Sequence, residues 1–422
     1  MSLIVENPRV GCALSGISIT LGAMTKICPI YHSGPGCAMQ NNASLGMQQI
    51  EMAGVLCPST NMQEREVVFG GIKKLETTVR GAIEVYDADA YFILVGCTAG
   101  IIGDDVRSVV EKFQAEGYHV YATETPGFMG DANLGYESLW NTIIDQVIEE
   151  TPTQENLVNI FGIIPEIDPY WRGNLEEITR LLNKLGVKVN SFFRDNQGYE
   201  TLRTCSAAKL NIVINPWLFK GPGEKFEEKF GVPMLRIPGM PVGPTDTTAF
   251  LRKVGEALQL DPALVEKVVA EEEDYVYSYF ESGIEALGWK CFGVVGDSNA
   301  AVGITRFLAN DYSLTPGLVI ISEPVFRPAD KERIIKQLTE LEHAKPPVVI
   351  FSADQYDINQ AILEHPEISL LIGSANEKEA ATYLKGIFRE VTAPLASRLV
   401  FNRALAGYRG GLSLIEDLYS NL

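Results

Sequence analysis

The chain has 422 residues, of which 46 % are hydrophobic, and it carries 54 acidic against 35 basic side chains for a formal charge of −19. Its length exceeds one compact core and points to two or three domains of roughly 150 residues each. The acid excess excludes a nucleic-acid partner held by general electrostatics, and the lack of any run of about 18 apolar residues excludes a membrane helix.

The opening MSLIVENPRV shows neither the basic region nor the apolar stretch of a secretion signal, so a cytoplasmic location is expected. Residues 9 to 37 then set Cys12 and Cys37 in glycine-bearing turns on either side of a short apolar segment. MQNNASLGMQQIEMAG reads as a helix, STNMQEREVVFGG as a polar link, and IKKLETTVRGAIEVYDAD as a long amphipathic helix. The strand AYFILVG leads into Cys97, which opens a second glycine-bearing turn, TAGIIGDD. DDVRSVVEKFQAEG is expected to be a helix with acidic residues in its first turn and a glycine at its close, and HVYATETPGFMG a strand and a turn. Strand, helix, strand in that order implies a parallel sheet with crossover helices.

The same alternation continues to the C-terminus. LVNIFGII, VKVNSFF, LNIVINPW and VPMLRIP read as strands, with helices over NLEEITRLLNKLG and GPGEKFEEKFG. The turn-rich PGMPVGP precedes a helix over TDTTAFLRKVGEALQ and a long acidic one from Pro262 to Gly288. KCFGVVGDSNAAVGITRFLAND opens a last unit as strand, turn and helix, and PGLVIISE, PPVVIFSAD and ISLLIGSAN repeat the strand signal. The pattern divides the chain into α/β units at 1–150, 151–288 and 289–422. Ligands of open parallel sheets sit at the carboxyl ends of strands, where Cys97 lies.

The glycines of FGVVGDSNAA do not form a dinucleotide fingerprint and no phosphate loop occurs, so that stretch reads as a tight strand-to-helix turn. No G-x-S-x-G is present, and His32, His119, His343 and His365 form no zinc-binding helix pattern. His32 stands out because it precedes Cys37. It is either bonded to backbone in a tight turn or tunes a nearby metal cluster. Seven cysteines in a reducing compartment argue against a disulfide framework. Cys205 and Cys291 adjoin apolar strands and read as packing residues, while Cys28 and Cys57 stay open. Cys12, Cys37 and Cys97 each adjoin a turn of small residues, where backbone N–H groups can approach cluster sulfides. They are the candidate ligands of an iron–sulfur cluster. Three thiolates are one short of the usual four, so a partner chain would complete the site.

The order GC, HSGPGC, FGG, GCTAGIIGDD, TPGFMG, then NPWLFKGPGEKFEEKFGVP, GDSNAA and the closing LASRLVFNRALAGYRGGLSLIEDL resembles the molybdenum-iron protein-like component 1 superfamily of nitrogenases. That superfamily includes the cofactor-assembly homologues and the dark-operative protochlorophyllide reductases. STNMQEREVVFGG, TPGFMGDANLGY and the GYRGGLSLIEDL ending are similar to its β-type (K-like) subunit. No candidate for the α-type cofactor cysteine and histidine is found. The resemblance implies three Rossmann-like α/β domains with parallel sheets flanked by helices. It implies that Cys12, Cys37 and Cys97 supply the β-side ligands of an 8Fe-7S P-cluster, or of a 4Fe-4S cluster, shared with an α-like (D-type) subunit. An α2β2 heterotetramer would then receive electrons from an ATP-dependent iron–sulfur reductase (H-type). Two departures from nitrogenase β-subunits stand out: Gly127 replaces the serine of their T-P-S-F turn, and the long N-terminal extension is lacking. Both fit a nitrogenase-like branch, of which methylthio-alkane reductase is the reading chosen. The alternatives are an N-like assembly scaffold, a nitrogenase β-subunit and a tetrapyrrole reductase subunit.

Overall fold

A computed structural model of the chain describes residue 9 and residues 11–40, 58–193, 197–288 and 290–419. Contacts divide it into two compact units: Met1–Pro152 with Asn190–Ala207 and Lys220–Gly231, and Thr153–Val189 with Ala208–Phe219 and Val232–Leu422. The architecture is α/β, with parallel sheets flanked by helices.

The first unit contains α1 (Ala13–Gly22), β1 (Ile27–His32), α2 (Glu64–Phe69), α3 (Ile72–Val85), β2 (Ala90–Val95), α4 (Cys97–Ile102), α5 (Val106–Ala115), β3 (Val120–Glu124) and α6 (Ala132–Gln146). Its sheet runs β1-β2-β3, all parallel, with Ile27 opposite Ala90 and Tyr91 opposite Val120. Every residue of β1 and β2 is buried, as expected of parallel strands covered on both faces. Leu75 and Val79 of α3 and Val109 and Phe113 of α5 pack on Ile30 and Ile93 to form the core.

Three expectations are corrected here. The short apolar segment between Cys12 and Cys37 is two elements, the buried helix α1 and the strand β1. The polar link contains α2, started by a reciprocal cap in which the Gln63 side chain and Glu66 satisfy each other's backbone donors. Neither Asp104 nor Asp105 enters the first turn of α5: Asp105 caps it by accepting from the Ser108 amide at 3.2 Å, and Asp104 turns away. Of the helix read over MQNNASLGMQQIEMAG, residues 41–54 lie outside the described residues, as does Cys57.

The second unit holds β4 (Gln154–Phe161), α7 (Trp171–Lys184), β5 (Lys188–Asn190), β6 (Ala208–Ile214), β7 (Met234–Ile237), α8 (Gly243–Ala257), α9 (Pro262–Leu287), β8 (Cys291–Gly296), α10 (Ser298–Arg306), β9 (Thr315–Ile321), β10 (Val348–Phe351), β11 (Leu370–Gly373) and β12 (Ile387–Glu390). Its sheets run β5-β4-β6-β7 and β10-β9-β8-β11-β12. The second of these is the doubly wound order, reversing between β8 and β11. β12 is missing from the expected strands because IFRE carries too few apolar residues to stand out. No helix among the described residues is long and apolar enough to cross a membrane.

Candidate metal-cluster site

The carboxyl ends of three adjacent strands position the candidate cysteines. β1 ends at His32 and feeds the turn of Cys37, β2 ends at Val95 before Cys97, and β3 ends at Glu124 before Gly127. Cys97 is the first residue of α4, and the Gly96 amide donates to the His32 carbonyl at 3.1 Å, tying the two strand ends together. Cys37 lies on a helical turn over 35–40, its amide donating to Gly34 O at 3.3 Å. A Cβ on Gly34 would sit 4.0 Å from Thr98 Oγ1, so the Cys37 turn lies along the start of the Cys97 helix.

Cys12 arrives from a different direction, as the N-cap residue of α1. The Ala13 amide donates to Gly130 O at 2.9 Å and the Ala132 amide to Gly11 O at 3.1 Å, binding the residues around Cys12 to the turn after β3. Gly11 itself needs a left-handed φ of 90°. Behind this join α1 crosses α6 with almost no separation. A Cβ on Gly16 would fall 1.9 Å from Ala132 O, and one on Gly135 2.0 Å from Ala13 O.

Gly127 is the meeting point. Its amide donates to Cys97 Sγ at 3.0 Å. A Cβ there would lie 3.0 Å from Cys12 Sγ and 3.3 Å from Cys97 Sγ. Two sulfurs from residues 85 positions apart in sequence therefore lie beside one glycine, and Cys12, Cys37 and Cys97 are all only partly buried. An amide aimed at a sulfur suits a thiolate ligand, because it offsets part of the charge without occupying the metal-facing lone pairs. Among the described residues no three Cys, His, Asp or Glu side chains are arranged to hold a single ion. The arrangement instead leaves the thiols at an open edge.

The sequence from residue 12 to residue 422 matches the family model for nitrogenase component 1 type oxidoreductase. The chain belongs to this family. It is 28 % identical to the nitrogenase molybdenum-iron protein alpha chain of Methanosarcina barkeri across 62 % of its own length, and spans only 51 % of that relative. It is 24 % identical to the nitrogenase iron-molybdenum cofactor biosynthesis protein NifE of Clostridium pasteurianum, over 96 % of this chain and 86 % of that one. It is 21 % identical to the nitrogenase molybdenum-iron protein beta chain of Methanococcus maripaludis, over 99 % and 94 %. The fold agrees with that of a solved nitrogenase, Nitrogenase Cp1 at pH 6.5, at a TM-score of 0.81 and 19 % identity, covering 99 % of this chain and 93 % of that one.

Within this component 1 type chain the remaining candidates resolve individually. His32 is fully buried and bonded to side chains, not to backbone: Nε2 is 2.9 Å from Asp104 Oδ2 and Nδ1 is 3.2 Å from Thr60 Oγ1. Burial lowers its pKa, and the Asp104 carboxylate opposes that shift only in part, so the imidazole is neutral near pH 7. Cys28 and Cys205 have no exposed surface and pack in the interior, where burial pushes the Cys205 thiol up. Cys291, partly exposed, has its sulfur 2.8 Å from where a Gly317 Cβ would be. The GDSNAA turn does cap a helix: Asp297 accepts from the Asn299 and Ala300 amides, both at 3.0 Å. Glu323 accepts from the Ser298 amide at 2.9 Å and from Trp217 Nε1 at 2.9 Å. Two carboxylates of this chain thus occupy the helix N-terminus that would otherwise favour a phosphate.

Asp104, Thr60 and Gly71 were not among the candidate residues. The available signal was the pair of adjacent acids in IGDD, only one of which a helix cap can use.

Proposed function

We propose that Cys12, Cys37 and Cys97 hold an iron–sulfur cluster of the 8Fe-7S P-cluster type at a face completed by an α-like subunit. The chain would be the β-type, electron-passing half of a nitrogenase-like reductase served by an ATP-dependent iron–sulfur protein. The carrying observation is the pair of sulfurs from Cys12 and Cys97 set against the Gly127 backbone at the open ends of three strands. A ring of exposed apolar side chains supports a covered face. Met39, two residues past Cys37, is 76 % exposed, and Ile101, one helical turn past Cys97, is 72 % exposed. Phe128 and Met129, beside Gly127, are also exposed, as are Val68 and Phe69 on α2, which packs beside α4. Apolar surface concentrated around a site marks an interface.

When bound, such a cluster supplies one-electron transfer. The chain's part is to hold it through the three thiolates, to direct the Gly127 amide at Cys97, and to exclude water once the apolar ring is covered. Glycine at 127 offers no side-chain oxygen to the cluster, which favours a nitrogenase-like branch, and methylthio-alkanes are the substrates to try first. Replacing Cys97 with alanine should remove at least roughly half of the iron from the paired complex and reduce co-purification of the partner, since a lost ligand leaves cluster charge uncompensated. Iron content and pairing equal to wild type would overturn ligation.

A second reading, an assembly scaffold that holds a precursor cluster and passes it on, is favoured by the near full-length alignment with a cofactor biosynthesis protein. Transfer of iron from the loaded complex to an apo-enzyme, without turnover of a methylthio-alkane, would select it.

A further inference from the structure

We propose that His32 and Asp104 form a buried clamp that holds the Cys37 turn against the Cys97 helix, so that they position the two thiols without ligating metal. The proposal rests on the cluster reading for what the thiols do, and on geometry alone for the clamp.

Four separate stretches meet at this one imidazole–carboxylate pair. His32 ends β1, five residues before Cys37, and has no exposed surface. Asp104 lies two residues beyond the end of α4 and seven beyond Cys97, and its side chain is only 5 % exposed. Their bond of 2.9 Å therefore joins the entry to one cysteine turn with the exit from the other cysteine's helix. Asp104 is itself fixed, since both its oxygens accept from the Gly71 amide at 3.0 Å. A Cβ on Gly71 would lie 2.6 Å from Asp104 Oδ2 and 2.9 Å from His32 Cε1, so the second glycine of FGG is needed for this approach.

The other ring nitrogen closes the arrangement. Thr60 Oγ1 lies 3.2 Å from His32 Nδ1 and accepts from the Ser33 amide at 3.2 Å, which places residues 58–60 behind the same turn. A neutral imidazole fits the pair: Nε2–H donates to the carboxylate, and Nδ1 faces the threonine hydroxyl, whose single proton it shares with the Tyr31 and Ser33 carbonyls at 3.4 and 3.3 Å. The two cysteine-bearing loops are also in direct contact next to the clamp, where a Cβ on Gly96 would fall 2.5 Å from Ser33 Oγ. Contact alone would let the loops slide; a buried charge-assisted bond gives them one spacing.

The test uses the full-length chain in two arms. In the iron-free chain, hydrogen exchange is followed in peptides covering residues 29–38 and 96–105. His32→Leu should speed exchange by about tenfold or more in both peptides, because local opening is freed at both loops. His32→Gln, whose amide nitrogen can still donate to Asp104, should stay within about threefold of wild type. Faster exchange confined to 29–38, or a glutamine variant no better than the leucine variant, would overturn the clamp. In the iron-loaded complex, His32→Gln should restore the iron content and the cluster's electron paramagnetic resonance line shape that His32→Leu loses. Unchanged iron and line shape in His32→Leu would equally overturn it. Should His32→Leu fail to fold, the comparison of His32→Gln with Asp104→Ala in both arms decides, the glutamine variant alone matching wild type if the clamp holds. Full iron retention by Cys97→Ala would instead remove the cluster reading and leave the exchange arm as the judge of the clamp.

Discussion

Gly127 is the residue at which ligand geometry can be separated from folding. Its φ is not in the left-handed region, so the backbone there does not itself require glycine. The three atoms nearest an added Cβ all belong to the two cysteines: Cys12 Sγ at 3.0 Å, Cys12 Cβ at 3.2 Å and Cys97 Sγ at 3.3 Å. Gly127→Ala should therefore leave unfolding of the iron-free chain within about 1 kcal/mol of wild type. It should still lower bound iron and slow alkylation of Cys12 and Cys97. Cys205→Ser is the converse control: a hydroxyl in a fully buried site should cost about 1–3 kcal/mol in denaturant unfolding with iron unchanged. An alanine variant with wild-type iron and alkylation rates would show that the space beside Gly127 is not used by a ligand. The three cysteines were legible as a candidate set from their small-residue turns, and the family resemblance added only the cluster type and the partner. The partnership of His32 with Asp104, 72 positions away, was not legible, because no local pattern encodes which acid a buried histidine will meet.

At the scale of elements, the crossing of α1 and α6 delivers Cys12 to the site, and it depends on two glycines. Gly16 and Gly135 each face backbone atoms of the other helix, which cannot rotate away as a side chain could. Gly16→Ala should cost about 3 kcal/mol or more, beyond the usual range for an extra methyl, because relief requires the helices to separate. Chemical denaturation would measure that cost, and faster alkylation of Cys12 would show the N-cap residue moving away from Gly127. A fully folded, equally stable variant with slow alkylation would mean that the crossing does not set the position of Cys12. Sequence reading missed α1 as a helix because it is buried almost all round, which removes the amphipathic period, and short apolar runs do not distinguish helix from strand. The parallel strands were legible for the opposite reason. AYFILV and LVII are unbroken apolar runs bounded by glycine, proline or polar turns, as strands covered on both faces must be. β12 and α2, short and charged, had no such signal.

For the whole molecule, the alternation of strand and helix carried the α/β class. The first unit gathers residues 190–207 and 220–231 from beyond its own sheet, a long-range exchange that periodicity cannot report. The second unit holds four acids whose carboxyl groups are withdrawn from water far enough to bind their protons more tightly. Burial raises Glu166 to about 7 against the opposing Trp171 bond. It raises Asp168 to about 6 although the Tyr170 amide and Asn174 hold it down. Burial, followed by the Glu323 carboxylate, pushes Asp297 up. Asp311 is raised to about 7, also by burial, with Oδ1 accepting from Thr245 Oγ1 at 2.6 Å and Oδ2 left without a partner. Each group binds its proton more tightly folded than unfolded. Its stabilising contribution is complete below the unfolded carboxylate range near pH 4 and is lost as pH rises through the folded value near 6 to 7. The unfolding midpoint should therefore fall between about pH 5.5 and 8. Asp311→Asn keeps the Thr245 acceptor and removes one ionisation, so its loss over that interval should be smaller by roughly 2 kcal/mol. Denaturant titrations of both proteins at the two pH values measure the difference. Parallel losses would mean that Asp311 ionises as readily in the folded chain as in the unfolded one, and that its buried oxygen is reached by water.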